Sequence, residues 1–468
     1  MSKRLNRELI ELTKHGLYPL HMPGHKRNIL KAESNDNGSK SFGEVIKGAY
    51  DIDITEIDGF DNLHDASELI CDAEKRAASL YQSEETHFLV NGSTCGLLSA
   101  ISAVCNKGDK LIVARNCHIS VYNAMMINDI KPVFLHPEII GKDFIRSGIA
   151  GSISKQTVER AILENPDACA VVITSPTYDG VLSDVAGIAK LAHEYDMPLI
   201  VDEAHGAMFF IEGRSAVQNN ADIVINSVHK TLPALTQTAL IHINGNLVNR
   251  DEVKKYLRIY QTSSPSYVLM GSIDYAVQLM EEQGKRLYRD YCIRTAALKE
   301  ELIKLRNLKY ITKDALIREG AFDFDESKVL ISAGNTVANK HSIISGKDIY
   351  KILREKYSFQ PEMAAGEYVL LMMTLFDSDE EIERFGKAVI EIDDNIACNC
   401  ETLNEKHMTV SQKELEERIG KCGDKSKYTV FAYPPGIPMI VEGESVTKEV
   451  LLEIEEAINN DLDIKWVK

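Results

Sequence analysis

The sequence lacks the long apolar runs and the apolar signal-peptide core that mark membrane and secreted proteins. It contains no stretch of 18 or more apolar residues, and its first segment, Met1–Leu12, is charged and helix-like. We therefore expect a cytoplasmic protein without a membrane span. Basic residues are also few, because 53 lysines and arginines face 70 aspartates and glutamates, a net charge of −17. This balance argues against nucleic-acid binding and suits a protein that handles cationic small molecules.

Closely spaced cysteines are scarce as well. The chain has nine cysteines, most of them in apolar surroundings, and Cys398 and Cys400 are the only close pair. No Cys-x-x-Cys pattern occurs. The sequence therefore predicts no metal site and buried thiols in the reduced state.

Short apolar runs that alternate with helical periodicity are abundant between Ser67 and Lys356. This alternation predicts an α/β fold, with a mostly parallel sheet flanked by helices and smaller α+β C-terminal domains. We divide the chain into a lead segment (1–50), a large domain (51–306), a small α+β domain (307–396) and a C-terminal domain (397–468). The predicted strands of the large domain are Lys110–Val113, Pro132–Leu135, Ala170–Thr174, Pro198–Val201, Ile223–Ile225 and Ala239–Ile243.

Lys230 is the leading candidate for a catalytic residue. It follows a predicted strand and the polar residues Ser227 and His229, and a lysine at such an exit can be held as a free amine that bonds covalently to an aldehyde. Asp202 ends the apolar run Pro198–Val201 in the same way. A carboxylate that keeps a pyridine nitrogen protonated, together with an amine that holds an aldehyde, suggests pyridoxal phosphate. The alternative is a solvent-exposed lysine at the end of a loop, but this alternative would leave the nearby carboxylate unexplained.

A candidate phosphate site lies upstream. Phe88–Cys105 reads as a short apolar run, a turn of small residues and an apolar helix. Backbone amides at the start of a helix suit a phosphate dianion, and Gly92, Ser93 and Thr94 would supply the amides and hydroxyls. An ordinary capped core helix would show the same pattern.

Histidines follow several of the predicted strands. His118 could stack on a flat cofactor ring and move a proton, and His205 could reach the phenolic oxygen of the ring. Ala204 is small enough for the ring to lie against the strand. Since a lone histidine is more often structural, only His118, His205 and His229 of the 13 histidines receive a functional interpretation.

Beyond these local patterns, eight segments carry a wider resemblance: HMPGHK (His21–Lys26), FLVNGSTCG (Phe88–Gly96), RNCHISV (Arg115–Val121), SPTYDG (Ser175–Gly180), VDEAHG (Val201–Gly206), SVHKTLPALTQTA (Ser227–Ala239), QTSSPSY (Gln261–Tyr267) and YPPGIP (Tyr433–Pro438). In this order they resemble the ornithine/lysine/arginine decarboxylases of the aspartate-aminotransferase fold, the fold type I pyridoxal-phosphate enzymes. The similarity is to the compact bacterial branch, which lacks a receiver-like N-terminal domain.

The resemblance implies roles for individual residues. Lys230 would hold the cofactor covalently, Asp202 would pair with its pyridine nitrogen, and His118 would stack on its ring. The phosphate would be held by Ser93, Thr94, Ser227 and His229. In this family a neighbouring subunit also contributes to the phosphate site, which makes Thr262 and Ser264 candidates and implies a homodimer, or a higher homo-oligomer, with shared active sites.

The implied reaction is decarboxylation of lysine, ornithine or arginine to an amine of polyamine biosynthesis and CO2. The segment Glu367–Leu375 supports it, since it is free of arginine, whereas a transaminase usually clamps the substrate carboxylate with an arginine at the comparable strand. An unclamped carboxylate can leave as CO2 from an apolar setting. An arginine elsewhere, such as Arg258 or Arg354, keeps an aminotransferase as an alternative, beside a retro-aldol lyase and an inactive scaffold.

The sequence leaves the choice of substrate open. Leu97, Ile119 and Met208 stand where the family usually has asparagine, lysine and often histidine, and Glu442 stands where it has proline. Glu444 is a candidate for binding the distal amine of the substrate, although a solvated loop carboxylate would look the same.

Overall fold

The structure is a computed structural model that describes residues 3–14, 23, 42–145, 148–334, 337–338, 342–343, 345–396, 412–433, 436–459 and 462–467. The predicted motif at 20–27 lies outside the described residues except for Pro23, and Cys398 and Cys400 lie outside them entirely. Within the described ranges no helix is long and apolar enough to cross a bilayer.

A seven-stranded sheet forms the centre of the molecule. Ala239–Ile243 pairs antiparallel with both of its neighbours, and the remaining pairings are parallel. The predicted mostly parallel sheet is therefore confirmed. From edge to edge its strands are Glu85–Leu89, Ala239–Ile243, Ile223–Asn226, Leu199–Asp202, Ala168–Thr174, Lys110–Ala114 and Lys131–Leu135.

Helices cover this sheet, which explains why its inner strands are apolar on both faces. Leu199–Asp202 and Ile223–Asn226, for example, are buried throughout. Several helices begin at side-chain caps, such as Asp184, whose carboxylate accepts a hydrogen bond from the Gly187 amide. Up to residue 302 the helices are Leu5–Lys14, Phe42–Ile52, Leu69–Tyr81, Gly92–Val104, Ile119–Ile127, Lys155–Glu164, Val185–His193, Val228–Thr231, Arg250–Tyr260 and Tyr267–Leu302, with 3-10 turns at Leu63–Asp65 and Phe209–Glu212.

A four-stranded antiparallel sheet follows the long helix Tyr267–Leu302. Its strands, in spatial order, are Lys309–Tyr310, Lys328–Ser332, Tyr368–Met372 and Met363–Ala365. Strands Lys328–Ser332 and Tyr368–Met372 pair antiparallel at its centre. Helices Lys313–Arg318, Gly346–Tyr357 and Asp379–Ile396 accompany this sheet.

The last part of the chain forms a three-stranded antiparallel sheet with its own apolar cluster. Its spatial order is Ile437–Ile440, Thr429–Ala432 and Ile464–Val467, and it packs with helices Gln412–Ile419 and Lys448–Asn459. Two-stranded ribbons complete the described structure: Val181–Leu182 with Asp323–Phe324, Ile139–Ile140 with Ile149–Ala150, and Val337–Ala338 with Ser342–Ile343.

Some expectations differ from the structure in detail. Helix Phe42–Ile52 runs across the boundary predicted between residues 50 and 51. The long helix Tyr267–Leu302 begins where the Ser266 side chain accepts a hydrogen bond from the Leu269 amide. The cap, rather than the charge pattern, determines where this helix starts.

The prediction of reduced thiols is wrong for Cys105 and Cys169. These two residues form a disulfide, with their Cα atoms 5.8 Å apart and a sequence separation of 64. Cys105 caps the carboxyl end of helix Gly92–Val104, and Cys169 lies in strand Ala168–Thr174 of the central sheet. Packing of the helix on the sheet brings them together, which no local pattern could reveal.

Candidate active site

The carboxyl ends of four neighbouring parallel strands open into one cavity of about 660 Å³. In open α/β sheets such a crevice is where ligands bind. The loops that follow these strands supply Asn116 and His118, Pro176 and Tyr178, Asp202, Ala204 and His205, and Ser227, His229 and Lys230. The loops after these four strands therefore converge on one cavity.

Lys230 lies in the single helical turn Val228–Thr231, directly after strand Ile223–Asn226. Burial lowers the pKa of Lys230, and the positive charge of Lys328 adds to this effect, while Asp202 and Glu362 oppose it. The Lys230 Nζ is 3.1 Å from the Nε2 of His205. This amine loses its proton more readily than a lysine in water, as a nucleophilic amine must.

Asp202 ends strand Leu199–Asp202 and is only 3 % exposed. One of its carboxylate oxygens accepts a hydrogen bond from the Ala204 amide at 3.1 Å. Its negative charge acts on both Lys230 and His118. A buried carboxylate in a cavity needs a cationic partner, and a protonated ring nitrogen would supply one.

His118 caps helix Ile119–Ile127. Its Nδ1 accepts hydrogen bonds from the amide and the hydroxyl of Ser120, at 3.2 and 2.8 Å, which fixes the plane of the ring. Burial lowers the pKa of His118, and the charge of Lys230 lowers it further, while Asp202 raises it. The ring is therefore held neutral, in a state suited to stacking on a flat aromatic ligand.

The predicted phosphate site forms where helix Gly92–Val104 begins. Gly92 has a φ of +73°, a conformation that glycine adopts without strain. Ser93 and Ser227 are 134 residues apart in sequence, yet their hydroxyl oxygens are 2.5 Å apart. Thr94 is exposed in the same wall, and His229 lines the cavity with its Nδ1 donating to the Thr238 carbonyl at 2.7 Å.

Two buried polar atoms of the cavity lining test whether a cofactor fits. In the described structure, the Nδ1 of His205 and the Oδ1 of Asn116 are buried without a hydrogen-bond partner. Burial lowers the pKa of His205 far below its usual value, and Lys230 adds to this. Since unsatisfied buried polar atoms are costly, both atoms are suited to bonding a ligand with polar ring substituents.

Three predicted residues lie outside this cavity. Thr262 and Ser264 are exposed, and the Thr262 carbonyl accepts a hydrogen bond from the His64 ring at 2.8 Å. Glu444 binds the Arg115 guanidinium at 3.1 Å and the Val441 amide at 3.0 Å. The structure therefore does not bring Glu444 to the cavity, where it was expected to bind a distal amine.

The positions that depart from the resemblance fall in different places. Leu97 lines the cavity. Ile119 is partly buried beside it, and its amide donates to the Gly436 carbonyl at 2.9 Å. Met208 is buried in the core and is not part of the cavity lining.

The sequence reasoning missed the wall formed by later parts of the chain. Glu362, Met372, Tyr433 and Ile437 line the cavity. The Tyr178 hydroxyl donates to the Glu362 carboxylate, and the Tyr178 ring meets the His205 ring edge to face with centroids 5.0 Å apart. Tyr178 stood in a recognised segment, but Glu362 precedes a short strand of the second sheet, and no motif marked it.

Comparisons with known proteins agree with this geometry. A family model described as Orn/Lys/Arg decarboxylase, major domain, matches residues 4–381. The chain belongs to the Orn/Lys/Arg decarboxylase family. As a member of this family, it is a carboxy-lyase.

Curated relatives of this Orn/Lys/Arg decarboxylase span nearly its whole length. An arginine decarboxylase of Bacillus subtilis is 29 % identical over 95 % of this chain and 91 % of its own. An arginine decarboxylase of Bacillus anthracis is 29 % identical over 98 % of this chain and 93 % of its own.

Solved structures confirm the fold. A lysine decarboxylase of Francisella novicida matches with a TM-score of 0.77 at 20 % identity, covering 99 % of this chain and 79 % of that one. A serine palmitoyltransferase of Sphingomonas wittichii matches with a TM-score of 0.55 at 15 % identity, covering 73 % of this chain and 80 % of that one. This Orn/Lys/Arg decarboxylase therefore has the fold type I architecture expected from its sequence.

Proposed function

We propose that this chain is a pyridoxal-phosphate-dependent decarboxylase of a basic L-amino acid, lysine, ornithine or arginine, and that it releases CO2 and the corresponding polyamine-pathway amine. The observation that carries the proposal is the meeting of Lys230, Asp202 and His118 in one cavity. An amine with a lowered pKa and a buried carboxylate are the groups that hold the aldehyde and the ring nitrogen of pyridoxal, and a neutral imidazole suits stacking on its ring.

The residues of the cavity would hold the cofactor at several points. Lys230 would bind its aldehyde carbon, Asp202 its ring nitrogen and His118 one face of its ring. The phosphate would lie among Ser93, Thr94, Ser227 and His229, at the start of a helix. When bound, pyridoxal phosphate supplies a protonated ring that takes up the electron pair left behind by CO2.

The protein's own groups would manage the protons. The Lys230 Nζ and the His205 Nε2 are 3.1 Å apart, within hydrogen-bond reach, so His205 can orient the amine. We infer that Lys230 delivers the proton that replaces CO2 on the substrate Cα. Burial lowers the pKa of His205 far below its usual value, so its neutral ring accepts a hydrogen bond from Lys230 while the proton stays on the amine.

The position of Glu362 in the cavity lining favours a substrate with a basic side chain. Of the two carboxylates in the described cavity lining, Asp202 and Glu362, the former is assigned to the ring nitrogen. Glu362 carries a hydrogen bond from the Tyr178 hydroxyl, which leaves its second oxygen available for a cation. We infer that Glu362, rather than Glu444, binds the distal ammonium or guanidinium group.

We further propose a homodimer, or a higher homo-oligomer, with shared active sites. Thr262 and Ser264 are exposed polar residues of one loop, away from this chain's own cavity. Such a loop can complete the phosphate site of a neighbouring subunit. We also retain the divisions at residues 306 and 396 as a proposal, since the three main sheets fall on successive stretches of the chain, whereas the division at residue 50 falls inside helix Phe42–Ile52.

The test is an amino-acid panel. The purified protein is loaded with pyridoxal phosphate and given arginine, lysine or ornithine together with a 2-oxo acid, while CO2 and amine products are measured. We expect agmatine, cadaverine or putrescine to form with one CO2 each and without a new amino acid. Steady amino transfer that is faster than CO2 release from all three substrates would overturn the proposal in favour of an aminotransferase.

A further inference from the structure

The C-terminal sheet supplies one wall of the cavity. Tyr433 and Ile437, which flank the turn between strands Thr429–Ala432 and Ile437–Ile440, both line it. This wall contacts the site directly, because a Cβ added at Gly436 would be 3.2 Å from the Nε2 of His118. The position of the wall therefore limits where the His118 ring can lie.

Arg115 fastens this wall to the large sheet. Its guanidinium donates to the carbonyls of Pro438 and Met439 at 2.6 and 2.8 Å, and to the Glu444 carboxylate at 3.1 Å. The same Glu444 oxygen accepts a hydrogen bond from the Val441 amide at 3.0 Å. One side chain thus satisfies three acceptors of the C-terminal segment, a task for which the planar donor fork of arginine is suited.

The Arg115 side chain is itself held in place. It is 13 % exposed and lies against the rings of Tyr122 and Phe134, 5.5 and 5.4 Å from their centroids. The Tyr122 hydroxyl accepts a hydrogen bond from Arg115 at 2.7 Å and donates one to the Arg115 carbonyl at 2.6 Å. Such a rigid, partly buried guanidinium loses little further freedom when it binds its acceptors.

We propose that Arg115 and Glu444 are positioning residues that hold the segment 436–441 of the C-terminal sheet against His118. Arg115 and His118 belong to one loop after strand Lys110–Ala114, so this loop carries both the stacking histidine and the group that fixes the opposite wall. The consequence for catalysis rests on the proposed function. The contact between the segment 436–441 and His118 does not depend on the proposed function.

Hydrogen exchange of the full-length chain, without added cofactor, tests the contact. In Arg115→Ala, we expect faster exchange in 436–444 and at the Ile119 amide, which donates to the Gly436 carbonyl. Arg418→Ala is the matched control, because Arg418 lies over the Trp466 ring within the C-terminal unit, 4.4 Å from its centroid, and is not part of the cavity lining. Arg418→Ala should leave exchange in 436–444 and at the Ile119 amide at the wild-type rate.

Kinetics and visible circular dichroism of the loaded enzyme test the consequence. Arg115→Ala should lower kcat/KM at least tenfold and weaken the cofactor dichroic band, since the His118 ring loses its opposing wall. In Arg115→Lys both the kcat/KM and the dichroic band should lie between those of wild type and Arg115→Ala, because the tetrahedral donors of an ammonium do not reproduce the planar fork of the guanidinium. Arg418→Ala should match wild type in both measurements.

Unchanged exchange in 436–444 in Arg115→Ala would overturn the proposal, as would equal losses in Arg418→Ala. If Arg115→Ala does not fold, Arg115→Lys and Glu444→Ala decide in its place by the same exchange measurement. A wild-type enzyme that releases no CO2 from any basic amino acid would refute the proposed function, while the exchange comparison would still decide the role of Arg115.

Discussion

Replacing Glu362 with glutamine tests substrate recognition most directly. The change keeps the shape of the side chain and its hydrogen bond from Tyr178, but it removes the negative charge from the cavity. Glu362 is exposed in the chain without substrate, so its charge pair with a bound cation is only partly desolvated. We therefore take the low end of the range for a truncated charge pair, about 2 kcal/mol, or a ~30-fold loss of kcat/KM for the basic substrate.

The assay is CO2 release from the preferred basic amino acid and from norleucine, which has a similar length and no distal charge. Glu362→Gln should lower kcat/KM for the basic substrate and change it less than about threefold for norleucine. Glu355→Gln, at an exposed position of helix Gly346–Tyr357, is the control and should change neither rate. A loss under about threefold for the basic substrate, or an equal loss for norleucine, would refute the role of Glu362.

Three further predictions concern other groups. Lys230→Ala should fold and bind pyridoxal phosphate only reversibly, with turnover reduced to a small fraction; near-normal CO2 release would refute its assignment. Asp202→Asn should raise the activation barrier by about 3 kcal/mol and so lower the rate more than a hundredfold, because the ring nitrogen loses its counter-charge. A rate loss of less than threefold in the same assay would mean that another group pairs with that nitrogen. Burial lowers the pKa of His242 from 6.5 to about 3. Below pH 6.5 the unfolded chain therefore takes up a proton that the folded chain excludes, so the free energy of unfolding decreases as the pH is lowered. When the pH is lowered from 7.5 to 5.5, the free energy of unfolding, measured by urea denaturation, should decrease by about 1 kcal/mol less in His242→Gln than in wild type. Equal decreases in the two proteins would contradict this prediction.

The sequence was informative where function depends on residues that come directly after a strand. Lys230, Asp202 and His118 each follow an apolar run, and parallel strands bring their carboxyl ends to one edge, so a local pattern was enough to place them together. Ser93 and Thr94 were found in the same way, from small residues at the start of a helix. These positions require only local structure and one rule of sheet topology.

The sequence was uninformative where function depends on packing between separate parts of the chain. Glu362 reaches the cavity from the second sheet, and Glu444 binds Arg115 more than 300 residues away rather than a substrate. The Cys105–Cys169 disulfide likewise depends on how one helix lies on the sheet. Contacts between residues far apart in sequence depend on tertiary packing, which cannot be deduced from residue spacing or composition.

The order of strands in the central sheet has a consequence for synthesis on the ribosome. The edge strand Glu85–Leu89 pairs only with Ala239–Ile243 within that sheet, and its Leu89 lies opposite Ala239, which is translated 150 residues later. At elongation rates of about 5 to 20 residues per second, the first strand and the adjoining turn at Gly92 wait roughly 8 to 30 seconds for their partner. During this interval the nascent chain exposes an unpaired strand edge, which is a template for pairing with another chain.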